Sequence, residues 1–298
     1  MHFVPQTYLK RFAQERSGEH FIHALPKSGG NIFEPNIKNI CVETDIYMMP
    51  GKAETDRQFL ENMYHELYEK GYDSLYNLLS DDTRETITAE ERYSIVSFVV
   101  SMFYRNNSWG NLHNRMIDEV FEKAYYLSKA NAKDSFFFED LEISIAGKTL
   151  EELQKENRKQ DRPMIAMVTA QKIFELSRLR VLNDFISVVN ADPGYEFITS
   201  DNPVTFKSKN IKQRPIPFDP TNSLWMPIDK GHMLQVNPWA DQLDWNMLGR
   251  MKDRPFPGLI SSMSNSFQFH QSGKFLLGTE ISLKKFQAKP SGILPTDR

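Results

Sequence analysis

The hydrophobic pattern of this chain changes period once, and that change limits the folds open to it. Through the middle of the chain apolar side chains recur at three- and four-residue intervals, the mark of amphipathic helices. From residue 185 they fall instead into short runs rich in Val, Ile, Phe and Trp, bounded by turn residues. The pattern predicts an α+β chain: a predominantly helical single domain over residues 1–283, packed on a small mixed β-sheet. Residues 284–298, with Lys, Ser, Gly and Pro, read as a frayed tail.

Local signals place the elements. Pro5 suits the first turn of a helix running to Ala13. Residues 20–25 alternate like a strand, with Ser28-Gly29-Gly30-Asn31 as a turn and Ile32-Phe33 returning. Residues 45–49 are apolar and aromatic. Leu60, Met63, Tyr64, Leu67 and Tyr68 form a helical stripe, and Leu75, Leu78 and Leu79 follow after Gly71. Thr88 and Glu91 have capping-box spacing ahead of residues 95–104, apolar nearly all round, as a central buried helix would be. Further helices are expected over 112–130 and 165–180, with the polar stretch 131–162 as an excursion or lid. Strands are expected over 185–189 and 196–200, joined by Asp192-Pro193-Gly194, and over 223–228 and 232–236 around Asp229-Lys230-Gly231. Residues 241–251 and 259–275 read as helices.

Composition narrows the function. With 298 residues, 40% hydrophobic and 25% charged, the chain is neither disordered nor fibrous. A net charge of −3 argues against a basic coat for nucleic acid but leaves a local basic groove open. A lone cysteine, Cys41, excludes an internal disulfide, and its mostly apolar flanks suggest a buried, inert thiol. No run of about 20 apolar residues is present, so no membrane-spanning helix is expected. The start lacks the charged and apolar regions of a signal peptide, and a cytoplasmic setting is expected. There is no phosphate-loop, GxGxxG, HExxH, CxxC or nucleophile-elbow pattern. A Ser-His-Asp triad stays open, because its members need not be close in sequence.

Four features could carry chemistry. His2 and Gln6 put an imidazole and a carboxamide at a helix start, suited to an anion or simply to anchoring the chain. Glu61, His65 and Glu69 stack at i, i+4 and i+8, as a metal or acid–base set or as a solvated face. Arg105 closes the most apolar helix and must find water, a carboxylate or a ligand phosphate. Thr199, Ser200, Asp201 and Asn202 end a strand before Pro203, as a cluster of turn-forming side chains or as a catalytic edge.

The segment His2-Phe3-Val4-Pro5-Gln6-Thr7-Tyr8-Leu9-Lys10-Arg11-Phe12 resembles the opening of the bacterial family catalogued as domain of unknown function 4238. Phe197-Ile198-Thr199-Ser200-Asp201-Asn202-Pro203-Val204 is similar to its later strand, and Leu224-Trp225-Met226-Pro227-Ile228-Asp229 to the strand after that. Residues 39–47 resemble the stretch after its first hairpin, and Glu69 and Arg105 sit where a helical Glu and a helix-ending Arg are expected. The resemblance runs from His2 to about Phe275. It implies one compact domain of bacterial or phage origin and assigns no reaction.

Two functions follow as expectations. The first is a hydrolase or transferase acting on a phosphate-bearing substrate, a nucleotide or nucleic acid. Arg105 and the helix start at Gln6 would hold the anion and Asp201 would be base or metal ligand. His2 would be acid or second ligand, with Glu69 beside them and Thr199, Ser200 and Asn202 contacting substrate. No cofactor is specified, although a divalent metal would suit this set. The second is a non-catalytic binding module in bacterial stress or phage defence, its polar residues forming a structural network. A third, weaker expectation is nucleic-acid binding through Lys207, Lys209, Lys212 and Arg214.

Overall fold

A computed structural model describes residues 2–43, 58–105, 107–138, 141–207, 219–238, 244–251 and 256–288. The expectations for 45–49 and for Lys209, Lys212, Arg214 and residues 289–298 lie outside them.

The N-terminal segment is short and busy. Helix α1 (Gln6–Leu9) is a single turn opened by Pro5, whose carbonyl accepts from the Tyr8 and Leu9 amides. Tight turns carry the chain on to Ala13. A hairpin of β1 (Gln14–Arg16) and β2 (Glu19–Phe21) precedes β3 (His23–Pro26). Phe33 returns to Ala24 as an isolated bridge. Cys41 takes a left-handed backbone, φ 56°, and its carbonyl accepts from Phe3 N.

The helical stretch follows. Helix α2 (Phe59–Tyr64) runs into a π-turn over His65–Glu69, sealed by the Lys70 amide on the His65 carbonyl, 3.0 Å. Helix α3 is Tyr72–Ser80 and helix α4 is Ala89–Tyr104. The Thr88–Glu91 capping box closes at the start of α4, and every side chain from Ile95 to Tyr104 is buried. Helix α5 (Asn107–Ala130) leads to a hairpin, β4 (Ser135–Phe138) with β5 (Leu141–Ser144). Helix α6 (Leu150–Asn183) then runs 34 residues, about 50 Å. The stretch 131–162, expected as an excursion or lid, holds this hairpin and the first turns of α6. Phe136, Ile145 and Leu153 bury against Phe121 of α5, and Thr149 with Glu152 caps α6.

The strands divide among several sheets. The largest has five: β6 (Asp184–Asn190), β8 (Thr205–Lys207), β9 (Ser223–Pro227), β10 (His232–Pro238) and β11 (Gly249–Met251), ordered β11-β6-β10-β9-β8. It is mixed, because β11 runs parallel to β6 while the other pairings are antiparallel. Residues 249–251 are thus strand rather than helix. One face of this sheet, through Ile186, Val188, Leu224 and Met226, joins a core with α1, α3 and α4. The other face, through Val189, Trp225 and Met233, packs on helix α7 (Leu259–Gln271).

A three-stranded sheet, β3-β12-β7, is made with β7 (Thr199–Ser200) and β12 (Phe275–Gly278). The turn at Asp192-Pro193-Gly194 forms, but β6 and β7 join different sheets instead of pairing. Helix α8 (Glu280–Gln287) carries regular structure past Lys284. Among the described residues no helix is long and apolar enough to cross a membrane.

Candidate functional site

The core delivers residues from three remote segments to one place. The bridge between His2 and Val42 holds the imidazole beside α1, where its Nε2 lies 2.9 Å from Gln6 Nε2. The carboxamide donates, so Nε2 is the lone-pair side of a neutral ring. Burial lowers the His2 pKa, opposed by the charge of Glu69. The ring's Nδ1 is buried without a hydrogen bond, though the nearby Ile40 carbonyl favours the protonated ring.

Arg105 enters at the C-terminal cap of α4 with its side chain 2% exposed. Its Nη1 is 2.7 Å from Glu69 Oε1, its Nη2 is 3.5 Å from the His2 carbonyl, and its guanidinium lies 4.5 Å from the Tyr64 ring centre. Glu69 ends the π-turn, and its side chain is 20% exposed against 59% for His65. Of Glu61, His65 and Glu69, the last two meet as an i,i+4 pair. His65 keeps a 3.8 Å contact with Glu69 Oε2 but is exposed, while the other Glu69 oxygen faces Arg105.

Of the expected site residues, His2, Gln6, Glu69 and Arg105 come together. Thr199, Ser200, Asp201 and Asn202 form their own clasp, all buried. Tyr8 Oη lies 2.6 Å from Thr199 Oγ1 and donates to the Pro227 carbonyl at 2.7 Å. Ser200 Oγ donates to Gln268 Oε1 at 2.6 Å, and Asn202 Nδ2 donates to the Gln271 carbonyl at 2.9 Å. The Asp201 oxygens accept from the Gly273 and Lys274 amides at 2.8 and 2.6 Å. Burial pushes the Asp201 pKa up against those amides and the charge of Lys27. The carboxylate is spoken for by the loop between α7 and β12, which is how a structural clasp is built. The helix-start expectation also changes: α1 is one turn, and the Gln6 amide serves His2.

A second ionisable cluster has only a faint sequence signal. Asp229 Oδ1 accepts from the Gly231 and His232 amides at 2.6 and 2.8 Å, and its Oδ2 lies 2.9 Å from His232 Nδ1. Tyr76 Oη donates to the same oxygen at 2.7 Å. The far nitrogen of His232 is 3.7 Å from Asp82. Burial pushes Asp229 up, but His232, Tyr76 and the Gly231 amide outweigh it and hold its pKa low. Burial and the Asp229 bond raise Tyr76 to about 12. An Asp three residues before a His across a Gly turn is the signal that could have found this pair.

The Asp229 hydrogen bond raises the His232 pKa above 6.5, against burial and the charge of Arg250. A raised folded value adds stability that is complete below the unfolded value and fades as pH rises through the folded one. Urea midpoints of wild type and His232→Gln should differ most below pH 6.5 and converge at alkaline pH. A gap that widens with rising pH would contradict the assignment.

The lone thiol, Cys41, is buried, and burial followed by the charge of Asp201 pushes its pKa well up, so it stays protonated. Among the described residues no three His, Cys, Asp or Glu side chains are grouped to hold a metal ion. Lys207 Nζ lies 5.9 Å from the Trp225 ring centre.

One family model matches the chain over residues 1–244, described as protein of unknown function, DUF4238. No curated protein and no solved structure matches.

Proposed function

The chain belongs to the DUF4238 family, and from the geometry of this member we propose that His2, Gln6, Glu69 and Arg105 form the acid–base centre of a hydrolase or transferase. The observation that carries the reading is the neutral His2 ring, its Nε2 lone pair held by Gln6 beside a paired Glu69–Arg105. A base with a lowered pKa is unprotonated at neutral pH, and His2 would take a proton from water or a hydroxyl at Nε2 once substrate displaces the Gln6 carboxamide from that lone pair. A phosphate-bearing substrate, a nucleotide or nucleic acid, is the class to test first. Its phosphate would exchange with Glu69 for the Arg105 guanidinium, a fork suited to two oxygens.

The test is turnover of a panel of nucleotides and phosphate mono- and diesters. His2→Ala should lower kcat/KM by about 10²–10⁴-fold while circular dichroism is unchanged. The wild-type rate should rise with pH through the lowered His2 pKa and level off by neutrality. A His2→Ala protein as active as wild type would sink the reading.

A second reading, a non-catalytic binding module in stress or phage defence, is favoured by one observation. Helix α6 leaves Met164, Val168, Phe174, Leu179 and Leu182 exposed in its C-terminal part. That reading expects no turnover anywhere in the panel, and association abolished by Val168→Glu with Leu182→Glu. Association that survives both changes would remove it.

A further inference from the structure

On the side of the structure carrying α7 and α8, a cleft of about 450 Å³ opens against the turn between β6 and β7. None of its walls contributes a residue to the His2 cluster, so what it binds can be judged independently. Its volume lies within the range of small-molecule sites.

The walls are built, not incidental. The Gly258 amide donates to Asp192 Oδ2 at 2.5 Å, pinning the turn to the start of α7. Gly258 has φ +73°, and the Tyr195 ring lies so close over it that any Cβ would overlap the ring. Tyr195 thereby packs on the Gly258 backbone and is still 43% exposed. Ile281 and Phe286 supply the facing apolar wall, with Phe286 anchored 5.7 Å from the Phe269 ring centre.

Three polar groups point to a ligand of particular chemistry. Lys285 is exposed at the rim, its Nζ donating to the Gly194 carbonyl at 3.1 Å. Glu196 is partly buried, oriented by the Thr279 hydroxyl, with Lys230 4.0 Å away. Ser261 is 1% exposed, and its Oγ makes no hydrogen bond although it lies in a lining residue. A buried hydroxyl without a partner is costly unless something pairs with it. It sits in the first turn of α7, a 13-residue helix whose N-terminal cap, Gly258, offers no side chain to the free amides.

We propose that this cleft binds a mononucleotide. The base lies on Tyr195 against Ile281 and Phe286, because a π-face suits an exposed aromatic. The sugar diol is accepted by Glu196, as acidic side chains accept ribose hydroxyls. The phosphate takes Lys285 and the Ser261 hydroxyl at the start of α7, where the helix favours an anion.

The test is calorimetric titration of the full chain with adenosine monophosphate. Binding is expected with Kd below about 1 mM, and adenosine, inorganic phosphate and deoxyadenosine monophosphate should each bind about tenfold more weakly. Lys285→Ala and Tyr195→Ala should each cost about tenfold in affinity. Ser261→Ala should weaken binding several-fold without lowering the melting temperature of the free protein, since that hydroxyl has no partner to lose. No binding, equal binding by all three variants, or a loss that follows His2→Ala instead of Lys285→Ala would overturn the assignment.

Discussion

Replacing Arg180 by alanine is expected to lower the unfolding free energy by about 3–5 kcal/mol, the cost of stranding one partner of a buried ion pair. Arg180 Nε is 2.6 Å from Asp184 Oδ2, and the two side chains are 5% and 3% exposed. Solvent therefore screens the pair little. The guanidinium also donates to the Asn222 carbonyl, and Arg92 donates to the Val181 and Asp184 carbonyls. One node thus ties α4 to the end of α6, the start of β6 and the approach to β9. Removing Arg180 takes from the buried Asp184 carboxylate the guanidinium that donates to it. Chemical denaturation measures this, and the double variant Arg180→Ala with Asp184→Ala should lose less than the sum of the two single losses. A loss below about 1 kcal/mol would show that water reaches the pair.

Asp201→Ala is expected to cost about 2–4 kcal/mol, because two amide donors lose a charged acceptor. Gly273 and Lys274 donate to the two oxygens, and the carboxylate is 7% exposed. The part of that energy spent on burying the charge is already visible as the raised Asp201 pKa. A folded value above the unfolded one means that wild type gains stability as pH falls through it, so acid should widen the gap between wild type and Asp201→Ala. The expected phenotype is structural. Soluble Asp201→Ala protein should keep whatever turnover the His2 centre supports, and Asp201→Asn should also lose stability, presenting an amide to one donor. A normally stable but inactive Asp201→Ala protein would return Asp201 to the chemistry.

These two residues mark what could be read from the sequence. Where local rules decide, the reading holds. The Thr88–Glu91 capping box and the apolar run to Tyr104 form α4, and the Gly turn at 229–231 joins β9 to β10. Where distant partners decide, it fails. Residues 196–198 have strand composition, but the Phe197 amide goes to the Lys230 carbonyl and the Ile198 amide to the Asn265 side chain. Only Thr199 and Ser200 are left for a ladder. Residues 249–251 pair with β6 in parallel, a contact local periodicity cannot show. Gly249 is required there because a Cβ would stand 2.5 Å from the Phe185 ring.

The same division runs through the site. The residue types were legible: an imidazole at the start, a buried arginine at a helix end, a carboxylate on a helix. Their convergence was not, because His2 and Arg105 meet through packing of a whole core. The π-turn that ends at Glu69 has no compositional mark. The polar cluster 199–202 was legible as important, but not as inward-facing, since its partners Tyr8, Gln268 and Gln271 lie 68 to 191 residues away.

The account rests on a neutral His2 shaped by burial and by Glu69. Nitrogen-detected NMR titration of the His2 ring, in wild type and in Glu69→Gln, tests that directly. His2 should titrate below 6.5 in wild type, and lower still in Glu69→Gln, because the Glu69 charge is what partly restores it. A His2 that titrates at or above 6.5, or that does not respond to Glu69→Gln, would contradict the centre.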